Sequence, residues 1–171
     1  MTENTIAFVG LGSNLAQPRD QVRRALKELE DIPKTAVRAR SSFYRSRPLG
    51  PKDQPDFINA VAKIRTTLSA HDLLAELFNI ENRHGRKRDG TKWGPRELDL
   101  DLLIYGDLII SDPDLSLPHP GVTERNFVLL PLVELDPHMV VPGKGPAVDL
   151  LNNLQDGYIE KLEFEPGPQS A

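Results

Sequence analysis

The sequence predicts an α+β fold, because strand-like and helix-like periodicities alternate along roughly the first hundred residues. Residues 57–65 and 98–102 alternate their side chains with a period of two, which is typical of strands with one buried face. Residues 18–31 instead repeat apolar side chains every three or four positions, as an amphipathic helix does. With 171 residues, 39% of them hydrophobic, the chain is long enough for a single domain with one well-buried core.

The pattern begins with a buried strand over residues 5–11, which we expect to end in a turn at residues 12–14, Gly-Ser-Asn. The first helix, over residues 18–31, has an apolar side made of Val22, Ala25, Leu26 and Leu29. Residues 36–46 alternate more loosely and predict a second, partly exposed strand.

The second half repeats the pattern with a strand over residues 57–65, a helix over residues 70–83 and a strand over residues 98–104. Ser69, followed three residues later by Asp72, is typical of the start of a helix. The resulting order β-α-β-β-α-β resembles that of a ferredoxin-like core.

The rest of the chain predicts shorter elements added to this core. We expect residues 108–110 to form a hairpin with the strand over residues 98–104. Short helices are predicted over residues 123–130 and 148–154, followed by an edge strand over residues 159–164 and a frayed tail over residues 165–171.

Composition and charge exclude several classes of function. The net charge of −4 argues against a nucleic-acid-binding protein. The absence of cysteine excludes disulfides and thiolate metal sites. No apolar run approaches the about 20 residues of a membrane span, and the N-terminus lacks the features of a signal peptide. We therefore expect a cytoplasmic protein. We also expect the protein to be a monomer.

Asp99 and Asp101 form the first candidate site. On a strand their side chains point to the same face, with roughly 7 Å between the Cα atoms. Two such carboxylates repel unless a cation lies between them, and ligation by oxygen alone suits Mg²⁺. Trp93 and Arg96, just upstream, would supply an aromatic ring and a fork of donors for phosphate. The alternative is an amphipathic edge strand with two solvated aspartates.

A strongly basic segment, residues 84–92, leads into Trp93 and Arg96. Basic side chains that close over a polyphosphate would neutralise the charge that moves during phosphoryl transfer. We therefore expect a mobile lid here. The alternative is a solvated loop, as for many runs of charge.

Phe57 and Asn59 suggest a second site, for a flat heterocycle. They share one face of their predicted strand, where a phenyl ring can stack and an amide can both donate and accept hydrogen bonds. Ordinary packing by Phe57 and a turn bond by Asn59 are the alternative. The Pro- and Gly-rich loop over residues 46–55, just upstream, is long, which favours a functional loop. The alternative is a plain surface connector.

A longer motif resembles the signature of the 6-hydroxymethyl-7,8-dihydropterin pyrophosphokinase family. It reads Lys92-x-Gly94-Pro95-Arg96-x-x-Asp99-Leu100-Asp101-Leu102-Leu103. The resemblance extends over residues 5–165 and implies transfer of pyrophosphate from ATP to the hydroxymethyl group of 6-hydroxymethyl-7,8-dihydropterin. The products would be AMP and the pterin diphosphate, an intermediate of folate biosynthesis.

The resemblance also implies roles for individual residues. Asp99 and Asp101 would hold two Mg²⁺ ions and act in catalysis together with Arg86 and Arg96. ATP would be bound by Glu81, Arg88, Trp93, His119 and Arg125. The pterin would be bound by Ser46, Leu49, Phe57, Asn59, Trp93 and Phe127. From the residues alone, Glu81 is a solvated surface side chain and Phe127 a core residue. The chain departs from many relatives at Arg47 and Pro120.

Two other functions also fit the paired aspartates. One is a different metal-dependent phosphoryl or nucleotidyl transferase, and the other is a nucleotide-binding module without catalysis. The face formed by Phe57 and Asn59 argues against both, since neither function requires a pocket for a second flat ring.

Overall fold

A six-stranded antiparallel sheet lies between two layers of helices in the computed structural model, which describes residues 4–14, 17–47, 55–84, 98–154 and 159–162. The strands of this sheet are β1 (Thr5–Ser13), β2 (Thr35–Arg40), β3 (Tyr44–Ser46), β4 (Phe57–Thr66), β5 (Asp99–Tyr105) and β10 (Ile159–Lys161). Along the sheet the order is β10-β3-β4-β1-β5, and β2 also pairs with β4. The α+β class predicted from the sequence is confirmed.

Helices α1 (Pro18–Glu30) and α2 (Ala70–Arg83) cover one face of the sheet. The interface is apolar because the inward side chains of three strands alternate in step, as Val9 on β1, Ala60 on β4 and Leu100 on β5 illustrate. The Ser69 hydroxyl accepts a hydrogen bond from the Asp72 backbone N–H at 3.1 Å, so the predicted start of the second helix is confirmed.

The opposite face carries a second apolar cluster beneath a 3-10 helix (Val122–Glu124), α3 (Asn126–Leu135) and α4 (Ala147–Asn152). Its sheet side is formed by Phe8, Val61 and Leu103, whose positions alternate with those of the first cluster. This second face carries the predicted site residues of β4 and β5.

The second predicted strand is in fact two. β2 and β3 both pair with β4, but residues 41–43 between them are irregular. The Ser42 backbone N–H donates to the carboxylate of Glu134 on α3, with 3.1 Å to each oxygen. A side chain from far along the chain thus interrupts the strand. The element order β-α-β-β-α-β holds only if β2 and β3 are counted as one.

Two other expectations were wrong. β1 continues through Gly12 to Ser13, so no turn begins at residue 12. Residues 108–110 do not pair with β5: β6 (Ile110–Ser111) pairs instead with β7 (Ser116–Leu117). The chain turns away at Gly106, where φ is +54°, and the outer edge of β5 is contacted by His119, whose backbone N–H donates to Leu103.

The C-terminal part adds a small hairpin and the predicted edge strand. β8 (Val140–Val141) pairs with β9 (Gly145–Pro146), directly before α4. β10 pairs with β3, which confirms an edge strand in that region. None of the helices within the described residues is long and apolar enough to cross a membrane.

Candidate active site

The paired aspartates of β5 lie as the periodicity predicts. Leu98, Leu100 and Leu102 are buried against α1 and α2, whereas Asp99 and Asp101 are partly exposed on the opposite face. The Asp101 side chain is 43% exposed. The Asp101 carboxylate is therefore accessible from the solvent.

Gly12 separates the acidic strand from the predicted pterin residues. In the register of the sheet it lies opposite Asp99 on one side and opposite Asn59 on the other. Neighbouring strands are about 4.8 Å apart, so Asp99 and Asn59 are roughly 10 Å apart across Gly12. A Cβ atom at Gly12 would lie 3.2 Å from Asn59 Oδ1. The missing side chain leaves room for the Asn59 amide oxygen beside Gly12, which is itself buried.

Gly10, two residues earlier on the same face, lies opposite Asp101 and Val61, and the buried Leu103 side chain packs against it. Gly12 was not predicted as part of the site, because Gly-x-Gly before Ser-Asn is typical of a turn. The signal that could have found it is a glycine inside a central strand, where it often marks close approach of a ligand.

Ser46, Phe57 and Asn59 come together on that same face. Asn59 is buried, and its Nδ2 atom donates to Ser46 Oγ at 2.7 Å. Phe57 is paired with Ser46 in the sheet and is half-buried. The bond to Ser46 holds the Asn59 amide in one orientation, with its oxygen next to Gly12.

His119 lies beside Asp101, with 3.7 Å between Nε2 and Oδ1. The Gly121 backbone N–H donates to His119 Nδ1 at 3.0 Å, so the neutral ring carries its proton on Nε2, facing the carboxylate. Burial lowers the pKa of His119, the charge of Asp101 raises it and the charge of Arg125 lowers it again, with a net decrease. His119, Asp101 and Arg125 therefore form one electrostatic group.

Arg125 and Phe127 mark the start of α3. The Arg125 guanidinium carbon lies 5.8 Å from the centre of the Phe127 ring, within the range of a cation–π contact. Phe127 is half-buried against the apolar cluster on the face that carries Asn59. Phe127 thus contributes to the apolar cluster, and it also lies on the face that carries Asn59.

Glu81 is buried, with 2% of its surface exposed, so the expectation of a solvated side chain was wrong. Its Oε2 atom accepts a hydrogen bond from the Leu100 backbone N–H at 2.7 Å. The burial follows the helical repeat, because Glu81 and His84 lie eight and eleven positions after Leu73 and extend the apolar stripe of α2. That spacing is the sequence signal for the burial of Glu81.

The remaining predicted site residues lie outside the described residues: Leu49, Arg86, Arg88, Trp93 and Arg96. Of the basic segment 84–92 the structure describes only His84, which is buried and contacts Gln21 and Glu28 of α1 through its two ring nitrogens. The lid over the rest of that segment therefore stays a prediction.

Two carboxylates on one open face fit Mg²⁺, which usually takes one or two carboxylates and completes its shell with water and phosphate oxygens. Within the described ranges, no three His, Asp or Glu side chains cluster closely enough to hold a metal by themselves. The arrangement therefore fits a metal that is bound jointly with a phosphorylated substrate.

Comparisons with known proteins agree on one family. The sequence model of the 7,8-dihydro-6-hydroxymethylpterin-pyrophosphokinase family matches residues 8–137. The 2-amino-4-hydroxy-6-hydroxymethyldihydropteridine pyrophosphokinase of Haemophilus influenzae is 46% identical over 156 residues, which are 91% of this chain and 97% of that protein. The enzyme of the same name from Pseudomonas aeruginosa is 45% identical over 155 residues, 91% of this chain and 95% of that protein.

The fold is also found among solved structures. Plasmodium falciparum HPPK-DHPS with pteroate superimposes with a TM-score of 0.70 at 15% identity, over 89% of this chain and 42% of that longer chain. At this identity the similarity concerns the fold alone.

Proposed function

This chain belongs to the 7,8-dihydro-6-hydroxymethylpterin-pyrophosphokinase family and is a pyrophosphokinase of folate biosynthesis, and we propose that it uses Mg²⁺ and the sheet face with Asp99 and Asn59 for this reaction. ATP would give its terminal pyrophosphate to the hydroxymethyl group of 6-hydroxymethyl-7,8-dihydropterin. The products would be AMP and the pterin diphosphate. We further propose that the chain acts as a single-domain monomer in the cytoplasm.

The observation that carries this proposal is the row Asp99–Gly12–Asn59 across three strands. Acidic groups that suit a metal and its phosphates lie on one side of a residue without a side chain. A buried amide and a phenyl ring that suit a flat heterocycle lie on the other. Two substrates bound there would meet above Gly12, and holding them in contact supplies much of the rate enhancement of a phosphoryl transfer.

At the pterin end, Asn59 would pair with the edge of the ring system while Ser46 keeps the amide oriented. Phe57 would stack on one face of the pterin, and Phe127 is the candidate for the other face. Leu49 and Trp93 are the further pterin contacts that the family resemblance implies.

At the nucleotide end, Asp99 and Asp101 would hold two Mg²⁺ ions. Bound there, Mg²⁺ would supply Lewis-acid chemistry, which offsets the charge of the triphosphate and makes the hydroxyl of the pterin substrate a better nucleophile. His119 and Arg125 would bind the triphosphate beside the aspartates, because the proton on His119 Nε2 faces Asp101 and the Arg125 guanidinium is near enough to His119 to act on its charge.

The basic segment would contribute the remaining cations. Arg86 and Arg96 are proposed to act on the transferring group, with Arg88 on the triphosphate and Trp93 beside the adenine nucleotide. Glu81 is proposed as an ATP contact by resemblance alone, and its carboxylate also accepts a hydrogen bond from the backbone of β5.

Product analysis tests the proposal. With ATP, Mg²⁺ and 6-hydroxymethyl-7,8-dihydropterin, we expect AMP and the pterin diphosphate in equal amounts, and no AMP when either Mg²⁺ or the pterin is omitted. ADP or free pyrophosphate as the product would indicate the other transferase, and ATP binding without turnover would indicate a binding module. Either result would overturn the proposal.

A further inference from the structure

Gly121 lies in the tight turn between His119 and the 3-10 helix, and its backbone is fully used. Its N–H donates to His119 Nδ1 at 3.0 Å, and its carbonyl accepts from the Glu124 N–H at 3.2 Å. The Val122 N–H donates to the His119 carbonyl at 3.0 Å and closes the turn. The turn is thereby closed by hydrogen bonds, and the His119 N–H joins it to the Leu103 carbonyl of β5.

The backbone does not explain why this residue is glycine. Its φ of −81° and ψ of −7° lie in the right-handed helical region, which any L-residue adopts without strain. A side chain at residue 121 is instead restricted by the lack of space beside the backbone. A Cβ atom at Gly121 would lie 2.6 Å from both Cζ and Nε of Arg125 and 3.0 Å from its Cδ.

The Arg125 side chain therefore has two close neighbours. It lies against the α-carbon of Gly121, and its guanidinium carbon is 5.8 Å from the centre of the Phe127 ring. In that position the positive charge acts on His119, which faces Asp101. The guanidinium is thus held beside the residues that would receive the triphosphate.

We propose that Gly121 is a positioning residue for ATP binding, because its missing side chain lets the Arg125 guanidinium lie against the turn and face the nucleotide phosphates. This inference rests on the proposed contact between Arg125 and ATP. A methyl group at residue 121 would leave the backbone unchanged. It would displace the far end of the flexible Arg125 side chain. This displacement should change the stability of the fold little, but it should move the guanidinium out of the geometry needed to bind phosphate.

The test compares Gly121→Ala, Arg125→Ala and the double variant by calorimetric titration, with Mg²⁺ and an ATP analogue that carries a methylene group between the α and β phosphates. We expect each single variant to bind the analogue about tenfold more weakly, as for the loss of one charge-assisted hydrogen bond. The double variant should bind no more weakly than Arg125→Ala, because both changes remove the same contact.

Two controls separate positioning from loss of structure. The melting temperature of Gly121→Ala should equal or slightly exceed that of the wild type, since alanine at a compatible φ and ψ restricts the unfolded chain. Thr123→Ala, in the same turn, should leave the affinity unchanged.

The outcomes distinguish the two levels of the proposal. If Arg125→Ala binds the analogue like the wild type, the proposed ATP contact fails and this inference fails with it. If Arg125→Ala weakens binding but Gly121→Ala does not, or if Gly121→Ala weakens it equally in the absence of Arg125, the positioning role alone is wrong.

Discussion

The carboxylate of Glu81 accepts a hydrogen bond from the backbone N–H of Leu100, with 2.7 Å between Oε2 and N. Leu100 lies between the two aspartates of β5, which is the last strand on its side of the described sheet. An edge strand presents backbone donors that no further strand can pair. Glu81 therefore ties α2 to the strand that carries the proposed metal ligands.

Replacing Glu81 by alanine should destabilise the protein. The change leaves a buried N–H without its acceptor, which costs about 1–3 kcal/mol of unfolding free energy. Glu81→Gln retains an acceptor of nearly the same length and should lose less than half as much. Urea denaturation of the three proteins measures the difference, and equal stability of Glu81→Ala and wild type would refute this role.

Gly12→Ala should act mainly on the affinity for the pterin and less on the free energy of unfolding. The new methyl group would lie 3.2 Å from Asn59 Oδ1, so the amide must move from the orientation set by Ser46. We expect about tenfold weaker binding of 6-hydroxymethyl-7,8-dihydropterin, as for the loss of a well-aligned hydrogen bond.

Gly10→Ala, two residues earlier on the same face, is the comparison for that variant. Its methyl group would press on the buried Leu103 side chain, 3.3 Å away, and overpacking of a core typically costs about 1–3 kcal/mol. Its main effect should therefore be a lower free energy of unfolding, which urea denaturation measures. A larger loss of pterin affinity in Gly10→Ala than in Gly12→Ala would contradict the proposed position of the pterin.

Because of the environment of Tyr44, which includes its hydrogen bond to Glu134, the free energy of unfolding should decrease at alkaline pH. Burial, and then the hydrogen bond to Glu134 and its negative charge, raise the pKa of the Tyr44 phenol. The folded state thus favours the protonated phenol. Its contribution is fully present below the pKa of an unfolded tyrosine, about 10, and decreases as the pH rises above that value.

Tyr44→Phe isolates this effect. The variant should be about 1 kcal/mol less stable than the wild type at neutral pH, because it lacks the hydrogen bond. Above about pH 10 the difference between the two unfolding free energies should shrink. In the wild type, Tyr44 loses its proton when the chain unfolds at such pH, which favours the unfolded state, whereas phenylalanine has no proton to lose. Urea denaturation of both proteins from pH 8 to 11 measures it. A difference that stays constant to pH 11 would show that the Tyr44 phenol is not held protonated by the fold.

The sequence predicted most accurately what depends on local periodicity. The face of β5 that carries Asp99 and Asp101, the apolar stripe of α1 and the Ser69 cap all follow from side-chain spacing within one element. Each of these features is fixed by neighbours in the chain, so a single sequence contains the necessary information.

Features that depend on distant partners were missed. The break between β2 and β3 is made by Glu134, and its position on α3 gives no sign of this contact. Gly12 belongs to the site because of Asp99 and Asn59, which are its neighbours only across the sheet. Cross-strand register is set by the whole fold, whereas a Gly-x-Gly motif by itself favours a turn.

The central claim is that Asp99 and Asp101 hold the metal that serves pyrophosphate transfer, and a Mg²⁺ titration of AMP formation tests it most directly. Asp99→Asn and Asp101→Asn keep the size of each side chain but remove one charge. We expect AMP formation from ATP and 6-hydroxymethyl-7,8-dihydropterin to fall at least about 100-fold in each variant. The remaining activity should need more Mg²⁺ for half-saturation, while urea denaturation shows an intact fold. Wild-type rates and an unchanged Mg²⁺ requirement in both variants would contradict the account.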